Sequence, residues 1–408
     1  MSPGSHLSPV PRRQHSRARC LLIAAALCTL LSTSGCGRFH PHSETQYVYV
    51  IAKQSILRDR VAAVSNRVGE VTNGEKLEVL EHDRRFVKVK TPSGTIGWLE
   101  ARLTADQGIV DQFDALRRQH QKDPVVATAT ATDDVYLHVT PGRETDRFYR
   151  LAEGDPVSLL ARATVPKPLP PGTLVADTQK LQASSATGKE IPSAPPPPPM
   201  EDWWLVRGVQ GQTGWLYSHL IDVSVPDAIA RYAEGQRIVG AYVLATVEDP
   251  DSGVLNNGQA VTAIPEYVSV FNSGKSGLPY DFDQIRVFIW NLKKHRYETS
   301  FRQRNIAGYL PVKLFKSKDP YGKTPDAQQL LPAFSYTVLA ADAPLPTPDP
   351  QTSKTPGEIK PAKLITKTYR LEGNLCRRLL PPNTAGPDEA HPAPEPKKEK
   401  QARGRRKR

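Results

Sequence analysis

Three pairs of acids sit close enough in the chain to be candidates for proton transfer: Asp133-Asp134, Asp249/Asp251 and Asp281/Asp283. Acid–base work needs two carboxylates whose surroundings drive their pKa values apart, and nothing in the flanking sequence supplies that contrast. Asp249-Pro250-Asp251-Ser252-Gly253 has the composition of a turn, because Asp bonds back to its own chain and Gly accepts positive φ. Asp281 and Asp283 fall on one face of a strand, suiting a sheet edge or a weak cation position. The ten histidines are scattered, with no His-Glu-x-x-His run and no Cys/His cluster of zinc spacing. Cys376 has no local Cys–His motif and reads as a small buried hydrophobe. No Gly-rich phosphate loop is present. The residues therefore predict no metal, no cofactor and no catalytic set, and a protein that is not an enzyme.

Aromatic side chains offer a different chemistry, stacking on a flat ligand. Trp98 and Trp215 each follow a glycine, where a tryptophan either closes a barrel as a core or rim residue or forms a platform at a groove mouth. Tyr47, Tyr49, Trp203 and Tyr217 are the better groove candidates, because strand alternation sets Trp203 opposite Trp204.

These aromatics belong to a module written twice. Leu57 matches Leu137 and Gly74 matches Gly154, each pair 80 residues apart; Gly97-Trp98-Leu99 then matches Gly214-Trp215-Leu216 at an offset of 117. One insertion, the Pro-rich run 164–201, accounts for the change. In the first copy "YVYVIA", "EKLEVLE", "RFVKVK" and "TIGWLEAR" are short strands split by Asn73-Gly74 and Pro92-Ser93-Gly94, and they predict a small barrel. Alternation in "RFVKVK" puts Phe86 on the face opposite Val87 and Val89.

An opening Leu57-Arg58, a Gly before an apolar strand, an aromatic strand 85–89 and a closing Gly-Trp-Leu followed by a helical turn make this stretch resemble a bacterial Src-homology-3-type domain. The second copy keeps Gly154, Trp204 and Gly214-Trp215-Leu216, with Leu137-His138 in the opening position. Both lack the Asn-Val-Arg…Gly-Pro stretch of wall-binding relatives. The resemblance implies binding of a cell-wall peptide or glycan, or of an envelope protein; no nucleic acid is expected, because the export signal read at 1–35 argues against it.

The fold class expected is mainly β: two such barrels at 47–104 and 125–223, and a third β-rich domain, sandwich or barrel, at 224–380. Between the barrels, 105–124 reads as a helical spacer, with Ile109, Phe113 and Leu116 on one stripe and Thr104 as cap. A second short helix is expected at 225–235, ended by Gly235. In the third region "IRVFIWNLKKHRYETSF" is the clearest hairpin, with a basic tip at Lys293–Arg296. Of 38 prolines, ten lie in 164–201, six in 341–362 and six in 381–396, and such stretches are expected to stay disordered.

The ends suggest an address. Residues 1–35 carry Arg12, Arg13, Arg17 and Arg19 before an apolar run too short to remain as a membrane span. Thr33-Ser34-Gly35-Cys36 resembles a bacterial lipobox, which implies cleavage after Gly35 and lipidation of Cys36, then a tether at 36–46. Gly37 resembles the outer-membrane sorting pattern, implying an envelope lipoprotein facing the periplasm. The net charge of +12 is mostly terminal: the tail within 381–408 holds eight of the basic residues after position 394, and the body is nearly neutral. That tail is expected to favour an anionic surface.

Overall fold

The computed structural model describes residues 45–168, 199–256, 258–348 and 357–392. The expected leader, Cys36, most of the tether and of the Pro-rich insertion, and the tail beyond 392 lie outside them. From Tyr47 onward the described residues form one compact unit built on three antiparallel sheets.

The first sheet contains β1 (Tyr47–Val50), β2 (Gln54–Arg58), β3 (Arg67–Thr72), β4 (Lys76–Asp83), β5 (Phe86–Lys90), β6 (Ile96–Glu100) and β7 (Thr104–Asp106), in the order β3-β2-β6-β5-β4-β1-β7. Val48, Leu57, Val71, Leu77, Val87 and Leu99, one from each of β1 to β6, meet in a single core, so the sheet curls into a barrel. The second sheet contains β8 (Ala127–Ala131), β9 (Val135–His138), β10 (Arg147–Leu151), β11 (Pro156–Pro166), β12 (Met200–Gly208), β13 (Thr213–Tyr217) and β14 (Ile221–Asp222). Its order, β10-β9-β13-β12-β11-β8-β14, repeats the first strand for strand.

The register repeats as well. Lys88 faces Trp98 and Arg58 faces Trp98 in the first sheet; Leu205 faces Trp215 and Trp215 faces His138 in the second. The β4–β5 bulge between Val79 and Glu81 recurs between Leu159 and Ala161. The glycine before each tryptophan has a steric cause. A Cβ on Gly97 would stand 2.8 Å from the Leu57 side chain, and one on Gly214 would stand 2.7 Å from Leu137. Any side chain there would push the two strands apart.

The sheets differ where the insertion enters. β4 and β5 join through a tight turn with Arg84 at φ 49°, whereas β11 and β12 stay paired as far as Pro166 and Met200. The expected boundaries 164–201 therefore move inward, since Thr164–Pro166 and Met200–Asp202 are strand residues rather than loop.

Helix α1 (Gln107–Gln119) follows β7 and begins later than the sequence suggests. Thr104 pairs with Val50 in the sheet, so it cannot cap; Asp106 does, its Oδ1 accepting from the Ile109 amide at 2.9 Å. Nor is α1 a spacer. Phe113 is buried, with ring centroids 5.3 Å from Tyr149 and 6.1 Å from Phe148, so the helix wedges against the second sheet. Asn73 ties the two sheets directly: its Nδ2 donates to the Phe148 carbonyl at 3.1 Å, and its Oδ1 accepts from the Arg150 amide at 3.3 Å.

The expected 225–235 helix is shorter, comprising α2 (Asp227–Ala230) and a 3₁₀ turn before Gly235, which has φ 84°. The third sheet runs β15 (Arg237–Glu248), β18 (Ala263–Asn272), β19 (Phe282–Asn291), β20 (Arg296–Ser317), β21 (Leu331–Leu339), β22 (Leu364–Glu372) and β23 (Leu375–Arg378), all in chain order. A small ribbon, β16 (Leu255–Asn256) and β17 (Gln259–Ala260), stands apart. The β19–β20 hairpin closes where expected, with Asn291 facing Arg296. Val239 on β15 and Tyr369 on β22 share one core, so this sheet is one continuous curled layer rather than two stacked ones.

The β11–β12 hairpin is one part of the second sheet that grips the third; β15 also reaches the second sheet, Arg237 donating to the Ile221 carbonyl at 2.8 Å. Arg162 Nε donates to Asp281 at 2.9 Å, its Nη2 reaches the Leu278 and Tyr280 carbonyls at 2.9 Å each, and the Gly277 amide donates to Asp202 at 3.2 Å. Two voids border this junction, of about 20 Å³ and about 250 Å³, and Arg162, Trp204 and Asp281 line both.

Candidate functional site

On β5 and β6 the odd-numbered residues Val87, Val89 and Leu99 point inward. Phe86, Lys88, Ile96, Trp98 and Glu100 share the outer face, with Phe86 opposite Glu100 and Lys88 opposite Trp98. At the Phe86 end this face opens into a cleft of about 910 Å³. Its walls are Val61, the turn Asp83–Phe86, and Glu100–Arg102 at the start of the 3₁₀ turn.

The loop carrying Val61 is held at its base. The Asn66 amide donates to Asp59 Oδ1 at 2.9 Å, and the Asp59 amide donates to the Asn66 carbonyl at 3.0 Å. Hydrogen bonding from Arg60, and then from the Asn66 amide, holds the Asp59 carboxyl below its usual range. Arg84, Arg85 and Arg102 face Asp83 and Glu100 around the cleft, an excess of one positive charge. An apolar floor at half-buried Phe86 with a guanidinium rim can bind a flat or apolar group beside a carboxylate.

The sequence candidates divide into three groups. Trp98 lies half-buried on the outer face two residues from the Glu100 wall, with the Lys88 ammonium 5.7 Å from its ring centroid. It is a surface aromatic, not a core one. Tyr47 and Tyr49 are on β1, away from the cleft. Tyr47 is 36% exposed beneath the Lys76 ammonium, 3.9 Å from its ring centroid. Tyr49 donates to Gln107 Oε1 at 2.7 Å and meets the Phe148 ring edge-on at 6.0 Å, so it serves the contact between the sheets.

Trp203 and Trp215 are corrections. Each is only 2% exposed, in a cluster with Leu160, Ala163 and Leu205 against which Leu116 of α1 also packs. Strand alternation does set Trp203 and Trp204 on opposite faces, but in the second sheet both faces are covered, so neither tryptophan is open to a ligand. Tyr217 is half-buried, 5.6 Å from Trp203 and under the Arg143 guanidinium at 4.8 Å, and Arg143 Nε donates to Glu201 at 2.8 Å. The place that Phe86 and Glu100 leave open in the first sheet is filled in the second by Trp203 and Tyr217. Phe86 and the three arginines were missed as site residues; the signal was the alternation that already placed Phe86 on the outer face.

One acid of each pair is held by partners of its own rather than by the other acid's carboxyl. Asp281 accepts from Arg162 and, at 2.9 Å, from the Leu310 amide, so it pins the hairpin rather than edging a sheet. Asp134 pairs with Arg150 and Lys53. Asp249 does form the expected turn, accepting the Asp251 amide at 3.1 Å, and is also buried under Trp290 Nε1 at 2.6 Å and His295 Nδ1 at 2.8 Å. Burial pushes the Cys376 thiol up to about 11. No group of three or more His, Cys, Asp or Glu suited to a metal occurs among the described residues. No helix among them is long and apolar enough to cross a membrane.

The family model for the bacterial SH3 domain matches residues 57–105, which are most of the first barrel and all of its cleft. The chain thus carries one bacterial SH3 domain. No curated protein sequence matches the chain. Among solved structures, an NlpC/P60 family protein from Bacillus cereus ATCC 10987 aligns with 63% of this chain and 99% of its own at 10% identity, with a TM-score of 0.19. NlpC2 from Trichomonas vaginalis aligns with 65% of this chain and 98% of its own at 7% identity, with a TM-score of 0.14.

Proposed function

We propose that this chain is an envelope-associated binding protein that holds a cell-wall peptide or glycan in the open cleft of its first barrel. The observation that carries the reading is the contrast between two like sheets: Phe86 floors an open cleft in one, while Trp203 fills the matching place in the other. The second sheet is read as a further Src-homology-3-type copy whose outer face has been turned to packing. In the same proposal Cys36 carries a lipid that fixes the protein to a membrane facing the periplasm, and the basic tail adds attraction to an anionic surface. Sedimentation with purified sacculi tests the binding: the protein pellets with them, and Phe86→Ala reduces the pelleted fraction. Absence of pelleting ends the wall-binding reading and leaves a scaffold that holds an envelope protein. Cys36→Ser is expected to abolish palmitate labelling, and persistence of the label removes the anchor.

One observation favours a second reading, a wall-acting hydrolase. Buried Asp249 orients His295 at the edge of a cleft of about 790 Å³ that Tyr297 also lines. A carboxylate on Nδ1 leaves Nε2 to act as a base on water. Release of soluble muropeptides by the wild type but not by His295→Asn supports it; no release from intact sacculi excludes it.

A further inference from the structure

Along the β19–β20 hairpin, Gln284 faces Arg304 and Arg286 faces Arg302, with their side chains on the face opposite the core residues Ile285 and Val287. The turn after α2 lies over this polar face. Glu234 Oε2 accepts from Arg302 at 3.0 Å and Arg304 at 3.2 Å, and its Oε1 accepts from Arg286 at 3.3 Å. The Arg286 guanidinium also stacks on Tyr232 at 4.8 Å. The other acid nearby, Asp283, accepts from Gln236 at 3.1 Å. Three guanidinium groups thus meet two carboxylates, and positive charge is in excess.

Gln284 shows which way the remaining valence points. It is 1% exposed, and its Oε1 accepts from the Nε of both Arg302, at 2.9 Å, and Arg304, at 2.8 Å. An arginine Nε can only donate, so the amide oxygen must face these two and the NH2 must face away. That NH2 has no hydrogen-bond partner among the described residues, and neither has the buried Ser273 Oγ. Both residues line, with Arg302, Arg304 and Glu234, a cleft of about 390 Å³. A buried donor left unmade is costly. What satisfies the amide donor must be an acceptor, and the charge around it selects an anion.

We infer that this cleft is an oxyanion-binding site, taking a single carboxylate or phosphate group on the Gln284 amide, Ser273 and the guanidinium groups of Arg302 and Arg304. It is separate from the cleft of the first barrel and does not depend on that cleft binding wall material. The full chain is titrated by calorimetry with inorganic phosphate in one arm and malonate in the other. Saturable binding is expected in at least one arm, and the arm that binds names the group.

Arg304, whose side chain is largely exposed, can be changed with little risk to folding. Arg304→Gln should weaken binding roughly tenfold through loss of a charge-assisted bond. Glu234→Gln, by removing a competing carboxylate, should tighten it. Lys363→Gln, which removes the same charge at an exposed pair with Asp342, should leave affinity unchanged. No saturable heat in either arm overturns the assignment, as does an equal loss in the Arg304 and Lys363 variants, which would mark general charge attraction.

Discussion

A single position shows how the same residue type takes opposite roles in the two barrels. Trp98 and Trp215 hold the same register beside the same clash-limited glycine, yet one is on an open face and the other is sealed. Substitution should separate them. Trp215→Ala removes a buried ring and should cost about 3–5 kcal/mol of stability by denaturant unfolding. Trp98→Ala should cost under about 1 kcal/mol, as surface changes do, while lowering sacculus pelleting; equal stability losses would refute the assignment of faces. His138, set edge-on to Trp203 at 5.1 Å, reports on the same enclosure. Burial first, and then the Arg147 charge, holds its pKa below 6.5. Its neutral form is therefore the one the fold favours. The associated stability is complete above about pH 6.5 and is lost as pH falls through the lower folded value. A ring titration by NMR showing a midpoint at or above 6.5 would contradict that burial.

At the scale of elements, hydrophobic alternation made β4, β5, β6 and the β19–β20 hairpin legible, since one buried face fixes a period of two. It could not say that β12 is covered on both sides, because the cover on Trp203 comes from elements remote in sequence, Leu116 of α1 among them. Period two reports which face a side chain takes, not whether that face meets solvent. The helix start was misread for a similar reason. Thr104 is a good cap by type, but it lies in β7 opposite Val50 with its amide closing the 3₁₀ turn on the Ala101 carbonyl, and the chain cannot turn helical until Asp106. Asp106→Ala should therefore cost about 1 kcal/mol in unfolding free energy, the usual worth of a capping side chain. Thr104→Ala should not show a capping loss of that kind, and amide exchange across α1 distinguishes the two: faster exchange at Ile109 is expected only in the Asp106 variant.

Over the whole molecule, the second barrel is the joint. Its core takes Tyr49, Ile109 and Phe113 from one side and Ile238, Tyr242 and Leu310 from the other. The extension of β11 and β12 adds to the second connection. Without the insertion that hairpin would end as β4–β5 does, with Arg162 still paired to Trp204 as His82 is to Val87, but without Thr164 and Asp202, which bond each other, Asp202 also taking the Gly277 amide. The insertion is thus read as a docking arm at its base, a role invisible to composition, which shows only its prolines. Arg162 is nearly buried, so removing it leaves Asp202 and Asp281 without their guanidinium partner. Breaking one partner of a buried ionic set costs about 3–5 kcal/mol. Arg162→Met should therefore lower the unfolding midpoint and divide one cooperative denaturant transition into two, as the third sheet loses its hold on the barrels. Trp fluorescence follows both sides of the junction, since Trp203, Trp204 and Trp215 lie in the second sheet and Trp290 in the third. A variant that still unfolds in one step at the wild-type midpoint would show that the junction does not couple the sheets, and the arm would have to be explained by something other than docking.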